Sequence, residues 1–363
     1  MSKVRVGISI GDANGIGPEV ILKSFTHEGM GRLLVPVVYG EQALLKRIAE
    51  GLNMPLPIKQ IEKAEQAQDG RLNVINCWDE PFDYQPGHAT PASGLAAAIS
   101  LDKAVEDLKT GNIDALVTAP INKANMPRDR FPFPGHTEFL TKRLEAKESL
   151  MFMVSGDLRV GLVTNHLPVS AVAKAVTKNK ILDKLAIMDQ SLRRDFGLVK
   201  PMIAVLGLNP HAGDDGLLGE EEKKIIRPAV EEAKKRGILA MGPFPADGFF
   251  GSGRQHKFDA ILAMYHDQGL VPFKALSFGK GVNFTAGLPA IRTSPDHGTA
   301  FDIAGKNQAN AASFQQALFL AMEAVPNRRR YDEDTENPLE IQVRKPKRKG
   351  RKEGGQNQAK KPG

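Results

Sequence analysis

The sequence predicts an α/β protein whose sheets are mostly parallel. Short apolar runs that suit buried strands alternate along the chain with segments of helical composition. Polar segments repeatedly follow these runs, and open parallel sheets bind ligands at the carboxyl ends of their strands. With 363 residues, 41% of them hydrophobic and 25% charged, the chain has the composition of a globular protein and the length for two domains. No run approaches the roughly 18 apolar residues of a membrane span.

The first third of the chain carries the clearest alternation of elements. Gly11, Gly15 and Gly17 separate the first strand from the first helix, and Pro18 suits the first turn of that helix. A tight turn explains these glycines better than phosphate binding, because their spacing matches neither a dinucleotide loop nor a P-loop. The predicted elements, in order, are a strand at 4–10, the helix from Pro18, a strand at 33–39, a helix at 41–50, a strand at 71–77, a helix at 91–109 and a strand at 113–118.

The positive charge of the chain is concentrated at its C-terminus. Residues 341–363 hold nine Lys and Arg and one Glu, whereas residues 1–340 hold 40 basic and 41 acidic residues. The body is therefore nearly neutral, and the pI of about 9.3 arises from the end of the chain. We expect residues 328–363 to form a basic, disordered tail, because this segment has few apolar side chains to bury. Such a tail is either solvated or bound to nucleic acid.

Cysteine usage and the N-terminal composition indicate a cytoplasmic protein. Cys77 is the only cysteine, so no internal disulfide can form, and a lone cysteine is usually a small buried hydrophobe. The first residues alternate like a strand and lack the apolar core of a secretory signal. We therefore expect a reducing environment.

Three predicted strands each lead to a histidine. The strands at 160–164 and 202–208 lead to His166 and His211, and a strand at 261–265 leads to His266. Neutral imidazoles around an open coordination position are a common way to hold a catalytic divalent metal, so the repeated placement predicts a metal site. The separations of 45 and 55 residues are not those of a metal motif. A structural role for each histidine is the alternative.

The stretch at 258–300 combines glycines and prolines with many polar residues. This composition predicts a ligand-binding loop after the strand at 261–265. The polar side chains that the loop offers are Lys274, Lys280, Asn283, Arg292, Asp296 and His297.

Other polar residues stand at the ends of predicted elements. His136 and Thr137 begin a helix, where they could donate to an anion, although Thr137 could instead cap the helix. Asp247 and Asp267 are candidates for general acid/base chemistry or for orienting a histidine, and the alternative is a role in turns. Residues 220–222 are three glutamates that complement a helix dipole, and we expect them to form a solvated first turn.

Eight motifs in order carry a family resemblance that spans about residues 4–323. They are GDANGIGPE, VTAPINK, FPGHTEFL, TNHLPVS, LNPHAGDDGLLGEEE, GPFPADGFF, YHDQGLVPFK and GVNFTAGLPAIRTSPDHGTAFDIAG. Together they resemble the 4-hydroxythreonine-4-phosphate dehydrogenases of pyridoxal phosphate biosynthesis. Two departures are Ala13-Asn14-Gly15, where many members have Pro-Ala-Gly, and the basic segment after Asn327.

The resemblance implies an architecture and an assembly. It predicts a two-domain isocitrate/isopropylmalate dehydrogenase-like fold rather than a Rossmann fold. We expect residues 1–129 with 271–327 to form the first domain and residues 130–270 the second. The family implies a homodimer whose active sites lie at the subunit interface.

The resemblance also assigns roles residue by residue. The metal ligands implied are His166, His211 and His266. The substrate-binding residues implied are His136, Thr137, Lys274, Asn283 and Arg292. Asp247 and Asp267 remain candidates for catalysis without a firm role. Asp296 and His297 are expected on the cofactor side, because in related folds this segment approaches the dinucleotide.

The implied reaction agrees with the residue types. It is an NAD- or NADP-linked oxidation of 4-phosphooxy-L-threonine, followed by decarboxylation to 3-amino-2-oxopropyl phosphate and CO2. A divalent metal, zinc, magnesium or cobalt, would act as a Lewis acid. Lys274 and Arg292 suit the anionic groups of such a substrate, and His136, Thr137 and Asn283 add directional donors.

Three other functions stay open. The first is a paralogue that oxidises threonate- or erythronate-4-phosphate in sugar-acid catabolism, since none of the matched residues clearly contacts the amino group. The second is a nucleic-acid-binding protein that works through the tail. The third is a metal-dependent hydrolase.

Overall fold

One mixed sheet of 12 strands organises the described part of the chain. The computed structural model describes residues 3–26, 28–337 and 363. The strands are β1 (Arg5–Ser9), β2 (Val35–Gly40), β3 (Ile58–Ile61), β4 (Leu72–Asn76), β5 (Ala115–Thr118), β6 (Leu150–Ser155), β7 (Leu158–Leu162), β8 (Met202–Leu206), β9 (Leu239–Phe244), β10 (Ala260–Ala263), β11 (Val282–Ala286) and β12 (Ile291–Pro295).

Helices connect most of these strands. The α-helices of the described residues are α1 (Gly17–Phe25), α2 (Glu28–Leu33), α3 (Gln42–Gly51), α4 (Pro91–Lys109), α5 (His136–Arg143), α6 (Val169–Ala175), α7 (Lys178–Arg194), α8 (Arg227–Lys235), α9 (Ala246–Gly251), α10 (His266–Ser277) and α11 (Ala312–Glu336). None of them is long and apolar enough to cross a membrane.

The sheet consists of two parallel blocks that run in opposite directions. Its strand order is β3-β4-β2-β1-β5-β12-β11-β6-β7-β10-β8-β9. Neighbours pair in parallel except around β6 and β11, where β11 pairs antiparallel with β12 and β6, and β6 pairs antiparallel with β7. Strands such as β2, β5 and β10 are buried along their whole length, as parallel strands covered on both faces should be. The predicted α/β class with mostly parallel pairing is confirmed.

The expected domain boundary falls at the β6–β11 pair. Strands from residues 1–129 and 271–327 lie on one side of this pair, and strands from residues 130–270 lie on the other. The ladder is continuous there, with five residue pairs from Val282 opposite Val154 to Ala286 opposite Leu150. The division into two domains remains a prediction.

Local sequence patterns predicted the bounds of the first helices and strands to within a few residues. The helix predicted at 91–109 is α4, with Thr90 as its N-cap accepting from the Ser93 N–H. After β1, Gly11 has a φ of 71°. Gly15 and Gly17 have no room for a side chain, since a Cβ would lie 2.9 Å from the Thr299 oxygen and 2.5 Å from the Ile10 oxygen. One positive φ and close packing therefore account for all three glycines.

The strand predicted at 261–265 is β10, but the prediction of a loop over the rest of the stretch to residue 300 is wrong. Residues 266–295 instead contain α10, β11 and β12. Pro272 lies inside α10, which disguised the helix. The strands were hidden because every second residue is polar and faces a cavity, whereas buried neighbours such as Phe284 and Thr293 face the opposite side of the sheet.

The expectation of a disordered tail from residue 328 onwards is wrong for residues 328–336. Helix α11 continues to Glu336, and Arg328 is buried with its Nε 2.7 Å from the Asp195 carboxylate. Residues 338–362, which include most of the basic residues of the expected tail, lie outside the described residues.

Cys77 is buried, as expected, and burial raises the pKa of its thiol to about 12.

Candidate active site

A cavity of about 270 Å³ lies over the central strands of the sheet. Side chains of a strand alternate between faces, so β11 and β12 present polar residues to the cavity at every second position. Asn283 stands opposite both Ser294 and Met153 in the ladder, and all three line the cavity. Arg292 points to the same face two residues before Ser294. The remaining wall comes from Thr118, Pro120, Ile121, Lys123, Gly135, His136, Thr137, Glu138, Met151, Asn165, His166, Leu270, Lys274, Pro295, Asp296, His297 and Gly298.

Arg292 forms the cationic floor of this cavity. Its side chain is 2% exposed, and its two terminal nitrogens donate to Thr285 Oγ1 at 3.0 Å and to Thr118 Oγ1 at 2.6 Å. Its Nε is buried without a partner, and no carboxylate of the described residues forms an ion pair with it. Burial lowers the pKa of the guanidinium to about 9, and the charge of Glu138 opposes this shift. A buried cation held only by hydroxyl groups is suited to bind an anion.

Three other residues that line the cavity have a buried side-chain atom without a partner among the described residues. Two of these atoms are His136 Nε2 and Asn283 Oδ1. Burial, followed by the charges of Arg292 and Lys123, lowers the pKa of His136 well below its ordinary value, so the ring is neutral at neutral pH. The cavity therefore holds unused hydrogen-bonding capacity beside Arg292.

Thr137 is not the N-cap that one interpretation suggested. Gly135 occupies that position, and Thr137 is the second residue of α5. The Thr137 side chain lines the cavity instead, so this helix presents two successive polar residues, His136 and Thr137, to a ligand.

A second part of the wall combines Lys274, Asp296 and His297. Lys274 Nζ lies 3.1 Å from Asp296 Oδ1, and the Asp296 side chain is largely buried. His297 Nδ1 lies 3.1 Å from the Gly298 oxygen, while His297 Nε2 is buried without a partner among the described residues. These side chains adjoin the Arg292 floor and extend the cavity beyond it.

The three histidine-bearing strands are neighbours in the sheet. Strand β10 lies between β7 and β8 and pairs in parallel with both, so the segments that carry His166, His211 and His266 leave the sheet at one edge. The rings of His166 and His266 lie 5.5 Å apart between centroids. Burial, followed by the charges of Lys123 and His266, lowers the pKa of His166, which favours the neutral, ligating form.

His211 occupies a different environment. It is exposed at the start of a left-handed turn in which His211, Ala212, Gly213, Asp214 and Asp215 all have positive φ. In the described part of the chain no three His, Cys, Asp or Glu side chains converge as metal ligands. Imidazole nitrogens are a donor type that divalent cations accept, and His166, His266 and His211 offer this donor type at three neighbouring strand exits.

The two aspartates differ in their relation to the site. Asp267 Oδ1 lies 2.7 Å from His266 Nδ1, which supports the expected role in orienting a histidine. Asp247 is exposed in α9 and is not among the residues that line the cavity. Neither aspartate lines the cavity, and of the two only Asp267 contacts one of the three histidines.

A sequence model described as "Pyridoxal phosphate biosynthetic protein PdxA" matches residues 32–321. A Bacteroides thetaiotaomicron protein named 4-hydroxythreonine-4-phosphate dehydrogenase is 48% identical over 342 residues, or 94% of each chain. The chain belongs to the PdxA family. A relative from Oceanobacillus iheyensis, named for D-threonate 4-phosphate dehydrogenase, is 40% identical and covers 90% of this chain and 99% of its own. The crystal structure of 4-hydroxythreonine-4-phosphate dehydrogenase from Klebsiella pneumoniae superposes with a TM-score of 0.80 at 36% identity, covering 90% of this chain and 98% of that one.

Sequence reasoning left several residues of this PdxA-family site without a role. Thr118 binds the Arg292 guanidinium, and Lys123, Glu138 and Asn165 line the cavity. The available signal was position, because Thr118 and Lys123 lie at the exit of β5 and Asn165 lies at the exit of β7. That these residues lie around the same cavity as Arg292 could be predicted only with knowledge of the strand order.

The expectation that residues 220–222 form a solvated turn is wrong for Glu222 in this PdxA-family protein. Its side chain is 3% exposed and accepts hydrogen bonds from the segment that carries His211. Glu220, by contrast, is exposed, as the pattern predicted, and it forms an ion pair with Lys224. The sequence pattern could not predict that one glutamate is exposed and the other buried. The two residues have the same side chain and differ only in which side of the helix start they face.

Proposed function

We propose that this protein oxidises 4-phosphooxy-L-threonine with NAD or NADP and decarboxylates the product to 3-amino-2-oxopropyl phosphate and CO2, in pyridoxal phosphate biosynthesis. The observation that carries the proposal is Arg292, a buried cation at the base of the cavity that has no acidic ion-pair partner among the described residues. A phosphate or carboxylate of the substrate would neutralise its charge and occupy its free Nε. Membership of the PdxA family supports the same reaction.

The cavity residues divide the work of binding. Lys123, Lys274 and Arg292 bring positive charge to one small volume, which suits a substrate with two anionic groups. The unpartnered atoms of His136 and Asn283 supply directional hydrogen bonds, and Thr137 adds a hydroxyl at the start of α5. Holding the substrate at several fixed points orients its alcohol for reaction.

We also propose His166, His211 and His266 as ligands of a divalent metal, zinc, magnesium or cobalt. When bound, such an ion supplies Lewis-acid chemistry at the substrate alcohol. Asp267 would hold the His266 ring through Nδ1. The unpartnered Nε2 of His297 and the neighbouring Asp296 are proposed for the nicotinamide cofactor side.

A homodimer with the site at its interface is part of the proposal. Apolar side chains are exposed on the segments that border the cavity: Val169 is 79% exposed, Val271 65% and Phe278 85%. Exposed apolar residues beside a functional site favour burial by another subunit. We propose the cytoplasm as its location, where Cys77 would remain reduced.

The test is an NAD(P)-coupled assay with 4-phosphooxy-L-threonine, before and after chelation and metal restoration. We expect NADH or NADPH and CO2 to form, turnover to fall on chelation, and the metal to restore it. Turnover that is insensitive to complete metal removal would rule out the metal role, and no reduced cofactor at all would rule out the reaction.

Oxidation of D-threonate 4-phosphate is the second candidate, favoured by the Oceanobacillus iheyensis relative. The two substrates share the phosphate and the alcohol and differ at C2, where one carries an amine and the other a hydroxyl. The same assay with both substrates compares their kcat/KM values directly. A higher kcat/KM for D-threonate 4-phosphate would replace the first proposal.

A further inference from the structure

Glu222 holds the segment that carries His211. Its Oε1 accepts the backbone N–H groups of Leu208 and Asn209, both at 2.7 Å, and its Oε2 accepts the Asn209 amide at 3.0 Å. The side chain is almost fully buried, and no cation of the described residues pairs with it. One carboxylate therefore binds three donors from the two residues that precede Pro210.

The turn that follows needs such support. Five consecutive residues from His211 to Asp215 have φ between 42° and 83°, and four of them are not glycine. Residues with side chains adopt this conformation only where their surroundings enforce it. At Gly213, a Cβ would lie 2.6 Å from Glu222 Oε2, so the carboxylate also packs against the inside of the turn.

Gln268 links this strand exit to the next one. Its Nε2 donates to the Gly207 oxygen at 2.6 Å, and its Oε1 accepts the Met264 N–H at 2.7 Å. Met264 in turn accepts the Thr164 hydroxyl at 2.8 Å. Hydrogen bonds thus cross-link the exits of β8, β10 and β7, each a few residues before a histidine. A side-chain amide suits the Gln268 position because it donates at one end and accepts at the other.

We propose that Glu222 and Gln268 are positioning residues that set where His211 stands relative to His266. Glu222 maintains the left-handed turn, and Gln268 fixes the spacing between the β8 and β10 exits. The inference rests on the proposed function, because it takes His211 as a metal ligand. Neither residue lines the cavity, so each acts through the backbone that it binds.

The test is calorimetric titration of the metal-free full-length protein with Co²⁺ alone. We expect Glu222→Gln to weaken Co²⁺ binding about 10- to 100-fold, in the range of other residues that orient metal ligands. Glu220→Gln is the matched control, since Glu220 is exposed two residues away and should leave the affinity unchanged. Equal affinity of the Glu222→Gln variant and the unmodified protein would overturn the inference.

A double-mutant cycle with His211→Ala separates positioning from general damage. Once the imidazole is gone, Glu222→Gln should weaken Co²⁺ binding no further. An equal loss in both backgrounds would overturn the inference, because Glu222 would then act independently of His211. If His211→Ala alone leaves the affinity unchanged, the proposed ligand role fails and the inference fails with it. That result differs from failure of the inference alone, in which His211→Ala weakens binding and Glu222→Gln does not.

Gln268→Met provides a second variant if Glu222→Gln does not fold. Methionine approximates the length of glutamine but cannot donate to Gly207 or accept from Met264. We expect weaker Co²⁺ binding and lower kcat, with KM for the phosphorylated substrate unchanged, because the Arg292 floor lies in the other part of the sheet. A raised KM with unchanged Co²⁺ affinity would overturn the proposed role of Gln268.

Discussion

The Arg292 floor and the His211 turn are two differently built parts of the proposed site. Arg292 is buried in the sheet, where it donates to two threonine hydroxyls, and its Nε has no partner among the described residues. His211 is exposed on a strained turn and meets no pair of further ligands within the described residues. The part proposed to bind an anion is therefore pre-organised by β-sheet packing, whereas the part proposed to bind a metal depends on side chains that hold loops. We therefore expect mutations of the Arg292 part to change mainly substrate binding, and mutations of the His211 part to change mainly metal binding and turnover.

The largest expected effect is that of His211→Ala on turnover. We expect turnover to be abolished and metal binding to weaken, because removing a ligand should cost more than the 10- to 100-fold loss seen when its orienting partner is removed. Affinity for inorganic phosphate, measured by calorimetry, should stay within about threefold, since Arg292 is untouched. Normal activity of the metal-free variant would contradict the metal hypothesis.

Arg292→Lys should have the next largest effect, on substrate binding. Lysine keeps the charge but cannot bind Thr118, Thr285 and an anion together. Loss of one partner of a buried charged contact costs about 2–4 kcal/mol, or roughly 30- to 1,000-fold in kcat/KM. Co²⁺ affinity should be unchanged. Arg236→Lys is the control, because Arg236 forms an exposed ion pair with Glu232, and it should leave kcat/KM unchanged. A change of less than threefold for Arg292→Lys would remove Arg292 from the binding site.

Asn283→Leu should separate binding from stability. Asn283 Oδ1 is buried without a partner, so its replacement by an apolar side chain of similar shape removes an unsatisfied acceptor. We expect KM to rise about 10-fold, while the free energy of unfolding stays constant or increases by up to about 1 kcal/mol. Urea unfolding and steady-state kinetics measure the two effects. A destabilised variant with normal KM would mean that Asn283 is structural.

The smallest effect is a pH dependence of stability from His136. The pKa of His136 is lowered in the folded protein, so below about pH 6.5 the unfolded chain binds a proton that the folded chain does not. Stability should therefore be fully present above pH 7 and decrease as the pH falls, by at most about 1.4 kcal/mol per pH unit from this group. His136→Gln should reduce the slope of unfolding free energy between pH 7 and 5. An unchanged slope would mean that the ring titrates normally.

Much of the fold followed from local patterns. Alternating apolar runs placed β1, β2, β4 and β5 to within a few residues, and α4 had its predicted bounds because Thr90 and Pro91 are strong helix-start signals. The loop prediction for the part of the 258–300 stretch that follows β10 failed because polar residues alternate along its two strands. Its strands β11 and β12 present Asn283 and Arg292 to a cavity, so their sequence looks like a loop.

The sequence by itself determined which residue types are available for chemistry and that three histidines follow three strands, because strand exits and residue types are local properties. Only the tertiary structure decided which of these side chains meet. Arg292 is held by Thr118 across 174 residues of chain, and the order β7-β10-β8 brings His166 beside His266. The burial of Glu222 beneath the His211 turn was decided in the same way. Such contacts depend on packing between distant segments, which no local periodicity records.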